Sequence, residues 1–428
     1  MPRKSNFRRV ALCAIAFVLS FLLTAAALIY LDLSGRVNNL GTPMMSDRTP
    51  PDSYDGLPIN VLILGTDTRV GQDIGGGGDQ DDIVGRSDTA MVAHISADRK
   101  SISVVSIPRD LMVDIPACER KDGSTSYPQH SQFNWAFSTG GEGGDLSSAV
   151  FCTWKTVEKL SGMRIDESVV VDFNGFASMI DALDGINVFV PSEINDYQYS
   201  GLKLEQGCHE FNGEQALAYA RVRHGVEESD GSDLARIQRQ QAVMSVMLRT
   251  ALNKNILTSL NQLYAFAGNG LSSLTISDGL SSIPQLAGLG WSLQSIKPEN
   301  LRFVTLPTYP SPTDSNRVEL LGDEAQVIWD AFNNDTPLPG GLEVRDGNGA
   351  VYTIPFDEPS TAGTAEGGDP NAVEPAAPAE QPAAEPDTVE PATEPSESER
   401  VITLNDLPVR GLTDEQIAKL QAECEARG

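Results

Sequence analysis

Ser168 to Val190 reads SVVVDFNGFASMIDALDGINVFV. SVVVDF has the β-branched, apolar composition of a strand. GFASMIDAL (175–183) then has the spacing of a short helix, and INVFV (186–190) is again strand-like. Strands alternating with helices belong to α/β proteins. The pattern extends upstream. INVLILG (59–65) is a buried-strand run that ends in Gly. TAMVAHIS (89–96) and SISVVSIP (101–108) are two more strands joined by ADRK, the spacing of a hairpin. Downstream, GEQALAYARV (213–222) is a short helix. SDLARIQRQQAVMSVMLRTAL (232–252) is a long one, with Ser232 or Asp233 as its N-cap. Helices near 255–267, 279–293 and 323–333 and a strand at LRFVTLP (301–307) complete the set. The expected fold is α/β, a layered α-β-α sandwich on a mixed central sheet. The sequence contains no internal repeat.

The flanks of this domain have a different character. Val10 to Leu31 is predominantly apolar and uncharged, long enough to cross a bilayer, which takes about 20 residues. Arg3, Lys4, Arg8 and Arg9 precede it, and Asp32 is the first charge after it. The positive flank stays in the cytoplasm, so the rest of the chain is exported. A cleaved signal peptide usually has only about 7–15 apolar residues and a small-residue cleavage site, which LIYLDLSG lacks. The expected organisation is a cytoplasmic stub (1–9), a transmembrane signal anchor (10–31), a linker (32–57) and one large domain (58–355). An acidic Pro/Ala/Glu-rich linker (356–400), unable to bury apolar surface and expected to be disordered, and a short helical segment (401–428) follow. In the last segment TDEQ is a capping box, and Ile417, Leu420 and Cys424 share a helix face. A stub this short cannot hold a DNA-binding domain, which needs about 50 residues. The formal net charge of −28 and the exported location also argue against nucleic acid as a partner.

Export permits disulfides. Cys118, Cys152, Cys208 and Cys424 lie outside the apolar run, and Cys13 lies within it. Four cysteines allow three connectivities, which sequence alone does not rank. Cys118 with Cys152 is the natural pair, leaving Cys208 with Cys424. There is no CxxC and the four histidines are scattered, which disfavours a zinc site.

Unusual polar residues gather at strand ends. INVLILG leads into Asp67 and Arg69; Arg86 and Asp88 open the next strand; SIPRDL ends the third with Arg109 and Asp110. A single Asp there is usually a turn former, and a single Arg–Asp pair a surface ion pair of little worth. Repetition across three strands points instead to one anion site with a hard cation. GQDIGGGGDQDD (71–82) is Gly-rich but lacks the phosphate-loop spacing and reads as a mobile loop. YARVRHGVEESDGSDLARIQRQQ (219–241) crowds four arginines, Arg221, Arg223, Arg236 and Arg239, into an acidic chain. Guanidinium forks suit phosphate or carboxylate. Asp233, Arg236 and Gln240 share one helix face near an N-terminus that attracts anions, flanking the stripe Leu234, Ile237, Met244 and Leu248. Arg239 is turned about 60° aside.

Together, NVLILGTDTR, GRSDTAMVAHI, VVSIPRDL, FNWAF, VVVDFNGFASMIDALDGINV, FNGEQALAYARVR and DLARIQRQQ resemble, in order, the LytR–CpsA–Psr cell-wall glycopolymer ligases. The likeness covers most of 59–252. It implies a cell-membrane protein with a single span, a cytoplasmic N-terminus and an extracellular catalytic domain. The implied reaction moves a phosphoglycan from a polyprenyl-pyrophosphate carrier to a cell-wall acceptor, typically a peptidoglycan muramyl 6-hydroxyl, and releases polyprenyl phosphate. It implies Mg²⁺ (or Mn²⁺) on Asp67 and Asp88. Arg86, Arg109, Arg221, Arg223 and Arg236 would grip the pyrophosphate, with Gln240 assisting. Arg109, Asp110 and Arg236 would be catalytic, Asp110 or Asp88 being the alternative bases. Apolar residues after Asp233 and INVFV would enclose the lipid. Actinobacterial relatives often carry a cysteine where Phe189 stands, a partner for the position of Cys208; its absence leaves Cys208 free or paired elsewhere, as with Cys424. The Gly-rich loop is longer than the family pattern. Two other functions suit the same residues: a polyprenyl-pyrophosphate hydrolase, and a non-catalytic lipid-binding envelope regulator.

Overall fold

The computed structural model describes residues 20, 24, 27–29, 31–32, 34–35, 38–40, 54–66, 84–222, 233–254, 274–356, 419 and 424. The central sheet has nine described strands. In chain order they are Asn38–Asn39 (β1), Ile59–Thr66 (β2), Ser87–Ile95 (β3), Ile102–Ile107 (β4), Glu167–Asp172 (β5), Leu274–Ile276 (β6), Leu301–Thr305 (β7), Glu343–Asp346 (β8) and Val351–Thr353 (β9). Their order across the sheet is β1-β6-β5-β2-β3-β4-β7-β8-β9. β2 runs parallel to β5 and antiparallel to β3. β3 and β4 form the expected hairpin, with Ile95 opposite Ile102 and Ala90 opposite Ile107. β4 is parallel to β7. The sheet is therefore mixed, as the sequence predicts.

Helices cover both faces. They are Trp135–Gly141 (α1), Leu146–Ser161 (α2), Phe173–Ala182 (α3), Gly213–Arg221 (α4), Asp233–Asn253 (α5), Ile283–Ser292 (α6) and Gly322–Asn333 (α7). Successive strand side chains point to opposite faces. Leu62, Leu64, Val92 and Val105 accordingly join Val150 and Val157 of α2 and Trp329 of α7 in one core. Their neighbours Val61, Met91 and Val104 join Met244 and Leu248 of α5 on the other side. A sheet buried on both faces needs near-continuous apolar strands, which is why INVLILG lacks a polar alternation. Each such side chain stabilises the fold by about 1.5–3 kcal/mol.

The strand–helix–strand stretch departs from a simple crossover. Ile186–Val190 is a strand, but it pairs antiparallel with Gly207–Phe211 in a separate two-stranded sheet. β5 already has β2 on one side and β6 on the other, so the central sheet offers this strand no place beside it. Ile186, Val188 and Val190 pack into a core with Met179, Ile180, Tyr219 and Val243.

Both cysteine pairs are disulfides, Cys118–Cys152 and Cys208–Cys424. Cys208 stands directly opposite Phe189 in the register. A cysteine at 189 would be its cross-strand neighbour; with Phe189 there, Cys208 bonds to Cys424. Among the described residues no helix is long and apolar enough to cross a membrane, and most of residues 10–31 lie outside them. So do the helix expected over 255–267, the Gly-rich loop and residues 357–400. In the C-terminal segment, Lys419 and Cys424 are helical.

Candidate active site at the strand ends

β2, β4, β5 and β7 run in one direction and β3 in the other. The C-terminal ends of four strands and the start of β3 therefore share one edge of the sheet. Crevices beyond such carboxyl ends are the usual ligand sites of open α/β sheets. Arg109 and Asp110 follow β4 at this edge, Arg86 precedes β3, and Asp88 is its second residue. Thr66, which precedes Asp67, pairs with Ser87, which precedes Asp88. Asp67 and Arg69 lie outside the described residues, as does Arg223.

Four of the predicted residues meet: Asp88, Arg109, Asp110 and Arg236. Arg109 Nη1 donates to Asp88 Oδ1 at 2.9 Å, and Arg109 Nε lies 3.4 Å from Asp110 Oδ2. Arg236, from the first turn of α5, donates from Nη2 to the Asp88 carbonyl oxygen at 3.2 Å. It is only 3% exposed, so its charge is committed to this spot and is not a solvated helix face. Asp88, Arg109 and Asp110 keep 30%, 22% and 22% of their side-chain surface, so a ligand can reach them. Arg317 adds a third guanidinium, its Nη1 3.6 Å from Asp110 Oδ1. Three guanidinium groups around two carboxylates leave one positive charge in excess among these five residues.

Sequence reasoning missed Arg317. It lies in a turn-rich segment, and long-range pairing brings it in: Leu111 bridges Val318, whose N–H donates to the Asp110 carbonyl at 3.2 Å. No local spacing signals that contact. Gln240 is half-buried, one turn beyond Arg236. Its neighbour Gln241 fixes the helix: its Nε2 donates to Ser106 Oγ at 2.9 Å and to Thr305 Oγ1 at 3.0 Å, tying α5 to β4 and β7. Arg86 is exposed at the same edge. Arg221 is also exposed, its guanidinium 4.5 Å from the centre of the Phe173 ring, just beyond β5. Arg239 turns aside as its helical angle predicts. Its Nη2 donates to the Val222 carbonyl at 2.5 Å, and burial pulls its pKa down.

For a cation, no cluster of three or more His, Cys, Asp or Glu suited to a metal occurs among the described residues. Mg²⁺ does not require one: it binds through one or two carboxylates and completes its shell with water and substrate phosphate. Asp88 supplies a half-exposed hard oxygen at this edge. Beside it, the buried Thr66 Oγ1 has no hydrogen-bond partner among the described residues. This all-oxygen donor set fits such an ion.

A sequence model of the LytR_cpsA_psr family matches residues 38–333. The chain belongs to this family. It is 30% identical over 240 residues to the probable cell wall biosynthesis protein LcpB of Corynebacterium glutamicum, covering 54% of this chain and 52% of that protein. It is also 30% identical over 268 residues to regulatory protein MsrR of Staphylococcus aureus strain COL, covering 62% and 69%. The chain thus spans about half the length of the corynebacterial relative. Among solved structures, a Streptococcus agalactiae protein is similar with a TM-score of 0.51 at 19% identity, over 67% of this chain and 90% of that one. This likeness bears on the fold alone. The LytR-Csp2A-Psr enzyme from Actinomyces oris has a TM-score of 0.49 at 23% identity, over 70% and 96%.

Proposed function

We propose that this chain is a membrane-anchored phosphotransferase. It moves a phosphoglycan from a polyprenyl-pyrophosphate carrier to a cell-wall acceptor hydroxyl, the peptidoglycan muramyl 6-hydroxyl in the first instance, and releases polyprenyl phosphate. The observation that carries this reading is the Arg109–Asp88–Arg236 contact at the shared strand edge, in a chain of this family. Phosphoryl transfer asks for positioning and charge neutralisation more than for covalent chemistry by the protein. Arg109 and Arg236 neutralise the pyrophosphate oxygens, joined by Arg86, Arg221 and Arg223, with Gln240 assisting. The acceptor oxygen attacks the glycan-bearing phosphorus. One P–O bond forms there, and the anhydride P–O bond breaks, its electron pair leaving on polyprenyl phosphate. Asp110 takes the hydroxyl proton. Asp88 and Asp67 would hold Mg²⁺ (or Mn²⁺), which supplies further charge neutralisation at the phosphate oxygens when bound. Residues 10–31 anchor the chain, with the catalytic domain outside the cell.

The test is turnover of a polyprenyl-pyrophosphate glycan by the full chain with peptidoglycan as acceptor. Arg109→Ala should lower transfer by about 10²–10³-fold. Undiminished transfer in that variant sinks the site assignment. Release of free phosphoglycan alone would mean hydrolysis, and binding without turnover at any metal concentration would mean a regulator.

A further inference from the structure

A second recess adjoins the charged cluster. It is about 450 Å³ in volume and includes Val84, Gly85, Tyr127, Gln129, Trp135 and Ser138 in its walls. That lies within the roughly 300–1,000 Å³ of small-molecule sites. Val84 and Gly85 lead directly into Arg86 and Asp88. The far wall is tied to the cluster by backbone: Asn134 N–H donates to the Arg109 carbonyl at 3.1 Å, and Phe133 N–H to the Leu111 carbonyl at 2.8 Å. Trp135, the next residue, is therefore fixed relative to Arg109. It also lines a smaller recess of about 170 Å³ that reaches Arg317. Trp135 is thus the ridge between two recesses, one of which ends at the guanidinium beside Asp110.

The chemistry of the walls is specific. Trp135 and Tyr127 are 43% and 90% exposed, an unusual outlay of aromatic surface beside polar walls. The charges of the larger recess cancel. Arg120 is ion-paired to Glu142 in the same wall. The same guanidinium donates twice to the Thr139 carbonyl, at 3.0 and 2.8 Å, and to Ser124 Oγ at 3.2 Å. A phosphate would find no uncommitted cation there. Two hydrogen-bonding atoms in these walls lack partners among the described residues: buried Ser138 Oγ in the larger recess and buried Gln132 Oε1 in the smaller. A buried polar atom gains most from a ligand that satisfies it. An uncharged pyranose has the matching surfaces, an apolar C–H face for the rings and hydroxyl or acetamido groups at its edge.

We infer that Trp135, with Tyr127, Ser138 and Gln129, forms a subsite for a neutral sugar unit of a glycan whose reacting end lies at the Arg109–Asp110–Arg317 cluster. This rests on the transfer reading above. The sugar belongs either to the acceptor strand or to the donor's glycan. The probe is chitotetraose, an uncharged N-acetylglucosamine oligomer, titrated calorimetrically into the full chain in detergent. Saturable binding is expected, weakened at least ten-fold by Trp135→Ala and by Tyr127→Ala. Tyr127 is almost wholly exposed, so its variant reports on binding and not on folding. Absence of saturable binding, or unchanged affinity in both variants, overturns the inference. Repeating the titration with the lipid-pyrophosphate donor bound separates the sources: retained binding assigns the subsite to the acceptor, and competition assigns it to the donor. Wild-type donor turnover is measured separately. Turnover without sugar binding defeats only this subsite; sugar binding without turnover defeats only the transfer reading.

Discussion

Arg236 is a cation in a place that excludes water, and its neighbours explain why it is tolerated. Its Nη2 has the Asp88 carbonyl, and the Arg109–Asp88 pair lies beside it. Removing the guanidinium leaves that carbonyl in a half-empty, charged recess. Arg236→Lys keeps the charge but loses the planar fork. We expect transfer to fall at least ten-fold in the lysine variant and further in Arg236→Ala, measured as kcat on the lipid pyrophosphate. Gln241 has a different task. Gln241→Leu deletes the donor shared by Ser106 and Thr305 and should cost about 1–3 kcal/mol, read from denaturant unfolding. Arg109, Asp88 and Arg236 were legible because strand ends and a helix start mark them in the sequence. Arg317 and Gln241 were not, because their roles exist only once distant segments meet.

At the scale of elements, α2 was hidden in the sequence. LSSAVFCTWKTVEKLS is rich in Ser, Thr, Val and Cys, which are indifferent helix formers. Only its ends declare it: Asp145 accepts from the Ser148 N–H, and Gly162 closes it at φ 68°. Burial of Val150, Cys152, Trp154 and Val157 outweighs the weak propensity. The helix sits very close to α1. A Cβ on Gly140 would come within 2.3 Å of the Ser148 carbonyl oxygen, so only glycine permits this approach. Cys118–Cys152 joins α2 to the segment that leads into the aromatic recess. Replacing both cysteines by serine frees a loop with a sequence separation of 34 residues in the unfolded chain. The expected loss is about 4 kcal/mol by the loop-entropy relation, checked by calorimetry of the variant against wild type. INVFV shows the opposite limit of legibility. Its strand character was plain, but which sheet receives it depends on the neighbours of β5.

For the molecule as a whole, two buried groups set opposing pH dependences. His94 lies between Asn60 Oδ1 at 2.8 Å and Asp335 Oδ1 at 3.0 Å, and burial pulls its pKa below the ordinary value despite the nearby carboxylate. The folded state thus resists protonation that the unfolded chain accepts, so stability falls as pH drops below about 6.5. Glu167 behaves in reverse. Burial raises its pKa, only partly offset by hydrogen bonds from Ser277 and Tyr54. Its contribution is present below the unfolded carboxyl value of about 4.3 and is lost as pH rises through the folded value. Glu167→Gln should therefore flatten the fall of Tm with rising pH, and His94→Asn should flatten its fall with increasing acidity, both followed from pH 4 to 8. The mixed layered fold itself was legible because the central strands carry apolar, β-branched runs such as VLIL in β2 and VVV in β5. The small outer sheets were not, since three-residue strands such as Ile194–Asp196 carry no period long enough to read. The Cys208–Cys424 bond has a consequence for the integrity of the molecule. Cys424, close to the end of the sequence, is fastened to Cys208 within the domain, so what sequence order presents as a tail is a closed circuit. A single protease cut anywhere between the two cysteines releases nothing: the severed pieces travel together until a reductant parts them.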